Sequence, residues 1–231
     1  MKLVCFGDSY TADFKDNLIP PYVEYKKWYG GTFPKSWPIL LSEKLNIELL
    51  NYGIGGTCND IIFETFIKKI NELNKNDIVI IGWTFLFRFK WYNINSDNFV
   101  SIISNEHKNK NISKETATEI LVNRSNIKWS EDIELKKQIV IKLSELIGFK
   151  IYFWSVDEYI KNELNEINLC YNQLKDDNNI LILIKKLGGK NINEETQGII
   201  DDKHFGESGH IILSELFYDH IVNFKKNRKL I

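Results

Sequence analysis

Four short runs that are rich in apolar residues stand out along the chain, at residues 2–6, 47–52, 77–82 and 150–156. They are rich in β-branched and aromatic residues and end at glycine or polar residues. Such runs are typical of strands covered on both faces. Because segments with helical spacing lie between them, the pattern predicts an α/β protein: a three-layer α/β/α sandwich with a central parallel sheet.

Apolar residues at helical spacing predict helices at residues 35–45, at about 58–73 and at 206–224, the last beginning at 206 or 208. Pro38 lies near the first turn of the first of these helices, where proline is favoured. Residues 181–183 fit a short strand and a helix segment equally well.

Two stretches do not fit this alternation. Residues 13–33 hold adjacent prolines, adjacent glycines and several aromatic residues, a composition that predicts a loop overhanging the edge of the sheet. Residues 87–146 are longer than a crossover helix requires, and their spacing predicts a mostly helical insertion or cap, with possible helix starts at positions 95–96 and 113.

The length of the chain indicates how many domains it forms, and its charge indicates which classes of partner it disfavours. At 231 residues the chain suits a single domain, residues 1–231, that carries this insertion. Thirty basic and 31 acidic side chains give a net charge of −1, which argues against nucleic acid or an anionic membrane as the main partner. The one basic block, residues 225–229, is typical of a solvated tail. No apolar stretch has the length of a membrane span.

The cysteines and histidines predict neither disulfides nor a metal site. Cys5, Cys58 and Cys170 have no disulfide or metal spacing, which favours reduced thiols in a cytoplasmic protein. The four histidines are too scattered to bind a metal, apart from His204 and His210, which need another explanation. We expect no cofactor.

The first apolar run opens into Gly-Asp-Ser, with Ser9 at its carboxyl end. In open α/β sheets ligands bind at that edge, so Ser9 is a candidate nucleophile. Since these residues are also ordinary turn formers, a plain turn is the alternative. If Ser9 is functional, no cleavable leader is expected before it.

A possible base for that serine lies just before the last helix. A serine hydroxyl needs an imidazole within hydrogen-bonding reach and a carboxylate that fixes the tautomer of the imidazole. Asp201 and His204 are three residues apart, and this spacing lets the carboxylate fold back onto ring Nδ1. The alternative is that His204 caps the helix and Asp201 is a surface acid.

The chain resembles the SGNH, or GDSL, hydrolase family in the order of four blocks, at residues 7–11, 51–56, 82–84 and 201–210. The resemblance runs from end to end except for the insertion, and it implies a flavodoxin-like fold. It also implies a triad of Ser9, Asp201 and His204 and an oxyanion hole that includes the backbone amides of Ser9 and Gly56.

The third block departs from the family pattern. It reads Gly-Trp-Thr, so Thr84 stands where the family usually has an asparagine whose amide helps to bind the oxyanion. Threonine keeps a donor with a shorter reach, and Thr84 completes the expected oxyanion hole. Loss of one such donor costs on the order of 10²–10³ in rate.

Three side chains near these blocks are candidates for substrate contacts. Trp28 and Trp83 would line a pocket, and Arg88 would bind a carboxylate or a sugar acid. The alternatives are that Trp28 packs its loop onto the domain and that Arg88 forms a surface salt bridge.

Two segments look like motifs of other protein classes but do not match them. Residues 53–56 look like a dinucleotide-binding turn, but the third glycine would fall at Cys58, and this is not the first βα unit. Residues 7–11 differ from the α/β-hydrolase elbow because Thr11 replaces its second glycine.

The sequence therefore predicts a serine esterase that acts through an acyl-enzyme and removes small acyl groups, such as acetyl, from a carbohydrate or similar small substrate. A glycan O-acyltransferase with the same triad and a non-catalytic binding protein on the hydrolase fold are the alternatives. The oligomeric state does not follow from the sequence.

Overall fold

A computed structural model describes residues 1–14, 20–93, 98–103, 126–157, 160 and 180–227, with residues 20, 91–93, 98–103, 126–127 and 223–227 described by their backbone. The strands are β1 Lys2–Gly7, β2 Glu48–Gly53, β3 Ile78–Trp83, β4 Arg88–Asn93, β5 Asn98–Ile103 and β6 Lys150–Ser155. The helices are α1 Pro20–Trp28, α2 Trp37–Leu45, α3 Asn59–Lys69, α4 Asn126–Ile147, α5 Ile180–Lys186, α6 Ile192–Glu195 and α7 Glu207–Asn227, and a 3-10 turn at Ile70–Glu72 follows α3.

The four predicted strands form one parallel sheet in the order β2-β1-β3-β6. This confirms the predicted α/β architecture. The chain passes from β1 to β2 on one side and then returns to β3 on the other, so the order of the strands reverses at β1. The carboxyl end of β1 is therefore the switch point at which ligands bind in open α/β sheets.

Alternate residues of β1 point into two separate cores, because successive side chains of a strand face opposite sides of the sheet. Leu3 and Cys5 pack with apolar side chains of α2, α5 and α7. Val4 and Phe6 pack with those of α3 and α4 on the other face. The sheet is thus covered on both sides, as its continuous apolar strands predict.

The predicted loop at 13–33 contains a helix, α1, so that prediction was wrong for residues 20–28. The two prolines lie in its first turn, where the missing N–H groups would have no partner in the helix. The adjacent glycines end the helix. Gly31, at φ +90°, donates its N–H to the carbonyl of Lys26 at 2.9 Å.

Residues 87–146 begin with an antiparallel hairpin of β4 and β5 that their spacing did not predict. A long helix, α4, follows as expected. Positions 95–96 and 113 lie outside the described residues, and a cap role for the segment remains a prediction. Residues 181–183 belong to helix α5, so the helix alternative is the right one there.

Cys5 and Cys58 are buried and are not in a disulfide, and Cys170 lies outside the described residues. In the described part of the chain, no helix combines the length and the apolar character needed to cross a membrane.

Candidate active site

The chain turns sharply where β1 ends, which brings Ser9 to the edge of the sheet. The amides of Thr11 and Ala12 both donate to the carbonyl of Asp8, at 3.0 and 2.9 Å. A Cβ on Gly7 would lie 2.2 Å from Thr11 Oγ1 and 3.2 Å from the carbonyl oxygen of Gly82, so only glycine fits before this turn. The motif therefore places the hydroxyl of Ser9 at the switch point of the sheet.

His204 reaches Ser9 across this edge. Its Nε2 lies 2.7 Å from Ser9 Oγ, and its Nδ1 lies 2.6 Å from Oδ1 of Asp202. With the Nδ1 proton donated to a carboxylate, Nε2 is left to accept the proton of the serine hydroxyl. The structure thus brings Ser9 and His204 together, as the sequence predicts.

Asp201 does not contact the ring, so the prediction that it orients His204 was wrong. Its side chain is 89% exposed, and its carboxylate lies 3.4 Å from the side-chain amide of Asn193 and 3.8 Å from Lys203 Nζ. The neighbouring carboxylate, Asp202, faces the imidazole and is 6% exposed.

A local turn explains this choice of carboxylate. The backbone amide of His204 donates to Asp202 Oδ1 at 2.8 Å, which is the pattern of an Asx turn. This turn brings an aspartate and the residue two positions later onto the same side of the chain, while the residue before it points away. The signal was present in the sequence as Asp-x-His.

Asp202 is charged in this setting. Burial raises the pKa of its carboxyl group, but the hydrogen bonds and charge of His204 outweigh that effect and lower the pKa overall. A charged Asp202 holds the imidazole in one tautomer and would stabilise the imidazolium that forms when the ring takes a proton.

Two buried tyrosines flank the imidazole. The ring centroids of Tyr10 and Tyr22 lie 4.9 and 5.8 Å from that of His204. Burial, with the negative charges of Asp8 and Asp202 nearby, raises the pKa of both phenols, so they remain neutral at neutral pH. Tyr22 comes from α1 and was not predicted, because its segment was expected to be a loop.

The carboxylate of Glu195 is hydrogen-bonded both to α1 and to the start of α7. Oε2 of Glu195 accepts hydrogen bonds from the hydroxyl of Tyr25, at 2.6 Å, and from the amide of Glu207, at 3.0 Å. Its Oε1 accepts from the amide of Ser208 at 2.8 Å. Since α7 begins shortly after His204, this link holds the helix that carries Tyr22 beside the ring.

The glycine loop after β2 lies directly against the nucleophile turn. The amide of Ile54 donates to the carbonyl of Gly7 at 2.9 Å, and a Cβ on Gly55 would lie 3.9 Å from Ser9 Cβ. Gly56 has φ +71°, a left-handed conformation that favours glycine, and a Cβ there would meet nothing within 4 Å. The loop that contains the predicted oxyanion glycine is thus next to the nucleophile turn, with Gly55 close to Ser9.

Thr84 does not offer its hydroxyl to a ligand, so its expected place in the oxyanion hole was wrong. It is fully buried, and Oγ1 donates to Asp8 Oδ2. Its amide donates to Asn59 Oδ1 at 2.8 Å, and its carbonyl accepts from Asn59 Nδ2 at 3.0 Å. Thr84 directly follows β3, and its short side chain lies in the interior, where the carboxylate of Asp8 accepts the hydrogen bond of its hydroxyl.

The three candidates for substrate contacts lie in different settings. Trp83 is 1% exposed and stacks on Phe153, so it belongs to the core and cannot line a pocket. Arg88 forms a buried ion pair with Asp8 at 3.0 Å, which contradicts both the predicted substrate contact and the surface salt bridge. Trp28 is 45% exposed and stacks on Tyr25.

No family model and no curated protein matches the chain. Among solved structures, it is similar to a G-D-S-L family protein from Desulfitobacterium hafniense, with 13% identity over 95% of this chain and 98% of that one and a TM-score of 0.46. A lipolytic G-D-S-L family protein from Veillonella parvula shares 13% identity over 96% of each chain, with a TM-score of 0.43. A Bacillus subtilis protein shares 14% identity over 97% of this chain and 56% of that one, with a TM-score of 0.48.

Proposed function

We propose that the protein is a serine ester hydrolase that acts through an acyl-enzyme on Ser9. The observation that carries this proposal is the line of contacts from Ser9 Oγ to His204 Nε2, at 2.7 Å, and from His204 Nδ1 to Asp202 Oδ1, at 2.6 Å. A hydroxyl, an imidazole and a buried carboxylate in this order are the arrangement that activates a serine for attack on a carbonyl carbon.

The reaction follows from these contacts. His204 Nε2 takes the hydroxyl proton as Ser9 Oγ attacks the ester carbonyl, and the protonated ring then gives that proton to the departing alcohol. The same nitrogen deprotonates water as the water attacks the acyl-serine, and it then returns the proton to Ser9 Oγ as the bond from that oxygen to the acyl carbon breaks and the acid leaves. The carboxylate of Asp202 remains hydrogen-bonded to Nδ1 of His204 throughout and stabilises the imidazolium.

The negative oxygen of the tetrahedral intermediate would be bound by the backbone amides of Ser9 and Gly56. Because the hydroxyl of Thr84 is committed to Asp8, it adds no third donor. One donor is worth on the order of 10²–10³ in rate, so we expect a slow esterase unless another group compensates for its loss.

For the substrate we propose a small acyl group, such as acetyl, on a carbohydrate or similar small molecule. The resemblance to SGNH hydrolases suggests this class, and Trp28 supports it. Its half-exposed indole lies six residues after Tyr22 on α1, a rise of about 9 Å and a turn of about 120° around the helix from the tyrosine beside His204. An exposed aromatic ring on this helix can stack on the apolar face of a sugar ring.

The test is release of acetate from an acetylated sugar and from a simple chromogenic acetate ester, with Ser9→Ala as the control. Hydrolysis of both esters by the unaltered protein alone is the expected result, and Trp28→Ala should raise KM for the sugar ester only. Acetate release that requires a second sugar as acceptor would favour the acyltransferase. Sugar binding without any Ser9-dependent release would favour the non-catalytic binding protein.

A further inference from the structure

One guanidinium group joins the two loops that carry the expected oxyanion donors. Arg88 Nη1 donates to Asp8 Oδ2 at 3.0 Å and to the backbone carbonyl of Thr57 at 3.4 Å. Asp8 directly precedes Ser9 in the nucleophile turn, and Thr57 directly follows Gly56 in the glycine loop. Arg88 therefore ties together the backbone segments on which both amides lie.

The same guanidinium neutralises a carboxylate next to the nucleophile. Asp8 is 3% exposed, and its Oδ1 accepts from the amide of Tyr10 at 3.0 Å while its Oδ2 accepts from Thr84 and Arg88. A buried carboxylate without a cation is strongly unfavourable. Beside Ser9 it would also repel the negative oxygen that forms during attack, and the charge of Arg88 opposes that repulsion.

Arg88 is itself held firmly in place. Its amide donates to the carbonyl of Phe85 at 3.1 Å, and its guanidinium carbon lies 5.3 Å from the centre of the Phe85 ring, a cation–π contact. Its side chain is 9% exposed. The group comes from the first residue of β4, inside the segment that the family blocks do not cover.

We infer that Arg88 is a positioning residue that compensates for the missing third oxyanion donor, by fixing the nucleophile turn against the glycine loop and by neutralising Asp8. The inference rests on the proposed esterase function. It differs from a substrate-binding role because the guanidinium is buried against two protein oxygens and acts through the amides of Ser9 and Gly56.

The test compares Arg88→Met, Arg88→Lys and the charge-neutral double variant Asp8→Asn with Arg88→Met. The readouts are kcat and KM for a small neutral chromogenic ester and the rate of labelling of Ser9 by a fluorophosphonate. Lys136→Met is the matched control, because Lys136 is a mostly buried cation paired with Asp60, at 2.9 Å, outside both loops.

We expect Arg88→Met to lower kcat and the labelling rate by about 10²-fold, the effect of a small misplacement of reacting groups, with KM little changed. Arg88→Lys should recover part of that loss because it keeps the charge. The kcat and labelling rate of the double variant should lie between those of Arg88→Met and of the unaltered protein, because the charge of Asp8 is removed but the hydrogen bond to Thr57 is lost. Lys136→Met should retain full activity.

Folded Arg88→Met that reacts at the unaltered rate would overturn the inference. If that variant does not fold, the double variant decides, because full activity in the absence of the guanidinium would overturn it equally. Absence of Ser9 labelling in the unaltered protein would instead contradict the proposed function, so the two failures are distinguishable.

Discussion

Oδ1 of Asp202 accepts two hydrogen bonds from one residue, His204, from ring Nδ1 at 2.6 Å and from the backbone amide at 2.8 Å. The backbone bond fixes where the carboxylate lies, and the ring bond fixes how the imidazole is turned. The orientation of the proposed base is therefore built into a turn of three residues.

Replacing Asp202 by asparagine should lower kcat by on the order of 10³–10⁴, because the amide of the new side chain can donate to Nδ1 and favours the wrong tautomer. Asp201→Asn is the matched control on the preceding residue, and its activity should be unchanged since that carboxylate is exposed to solvent. Rates of ester hydrolysis for the two variants check this. The reverse ranking would return the orienting role to Asp201.

Replacing Thr84 by valine should destabilise the protein by about 1–3 kcal/mol, because the buried carboxylate of Asp8 loses a hydrogen-bond donor at nearly constant side-chain volume. Thr84→Ser keeps the hydroxyl and should be affected much less. Urea unfolding of both variants measures the difference. Equal stability of the two would show that the hydroxyl does not support Asp8.

Gly53→Ala should be destabilising by about 1–3 kcal/mol, because its Cβ would lie 2.5 Å from the amide nitrogen of Ala12, a backbone atom that cannot move without disturbing the nucleophile turn. Gly55→Ala is the control, since a Cβ there has its nearest contact at 3.9 Å. Thermal unfolding of both variants checks the expectation. A stable Gly53→Ala would mean that the glycine loop and the turn are not in close contact.

Unfolding should become easier in mild acid because of His210. Burial, and next the charge of His204, lower the pKa of His210 from 6.5 to about 3. Between these two pH values the unfolded chain binds a proton at His210 that the folded protein does not bind. The free energy of unfolding is therefore unaffected by His210 above pH 6.5, and it decreases as the pH falls from 6.5 towards 3.

His210→Asn tests that assignment, because an asparagine oxygen can replace Nδ1 as the acceptor of the amide hydrogen of Trp37. The free energy of unfolding of this variant should depend less steeply on pH between 4 and 6.5, by up to one proton. An unchanged slope would assign the acid sensitivity to other groups.

The sheet was predictable because strands covered on both faces are continuously apolar, and residues 3–6 and 78–81 are short apolar runs that alternate with segments of helical spacing. The adjacent prolines at the start of α1 favour a loop when only the sequence is considered, although in a first helical turn they cost no hydrogen bond. Tyr22 and Tyr25, three residues apart, are both buried, and their burial stabilises the helix. Which residues are buried depends on packing against distant parts of the chain, and the local sequence does not show that packing.

In the site, Ser9 and His204 were predictable because each follows from chemistry at one place in the chain. The choice between adjacent aspartates depends on which one the backbone turns inward, and the Asx turn at Asp202 settles it. The roles of Thr84 and Arg88 follow from their hydrogen bonds to Asp8, which lies more than seventy positions away in the sequence. Only the fold shows that these three residues meet.

Labelling by a fluorophosphonate, measured by intact mass, tests most directly whether His204 activates Ser9. We expect one adduct per chain, located on Ser9, absent in Ser9→Ala and formed far more slowly in His204→Ala. A folded protein that takes up no label, or takes it up equally well without Ser9, would show that Ser9 is not an activated nucleophile.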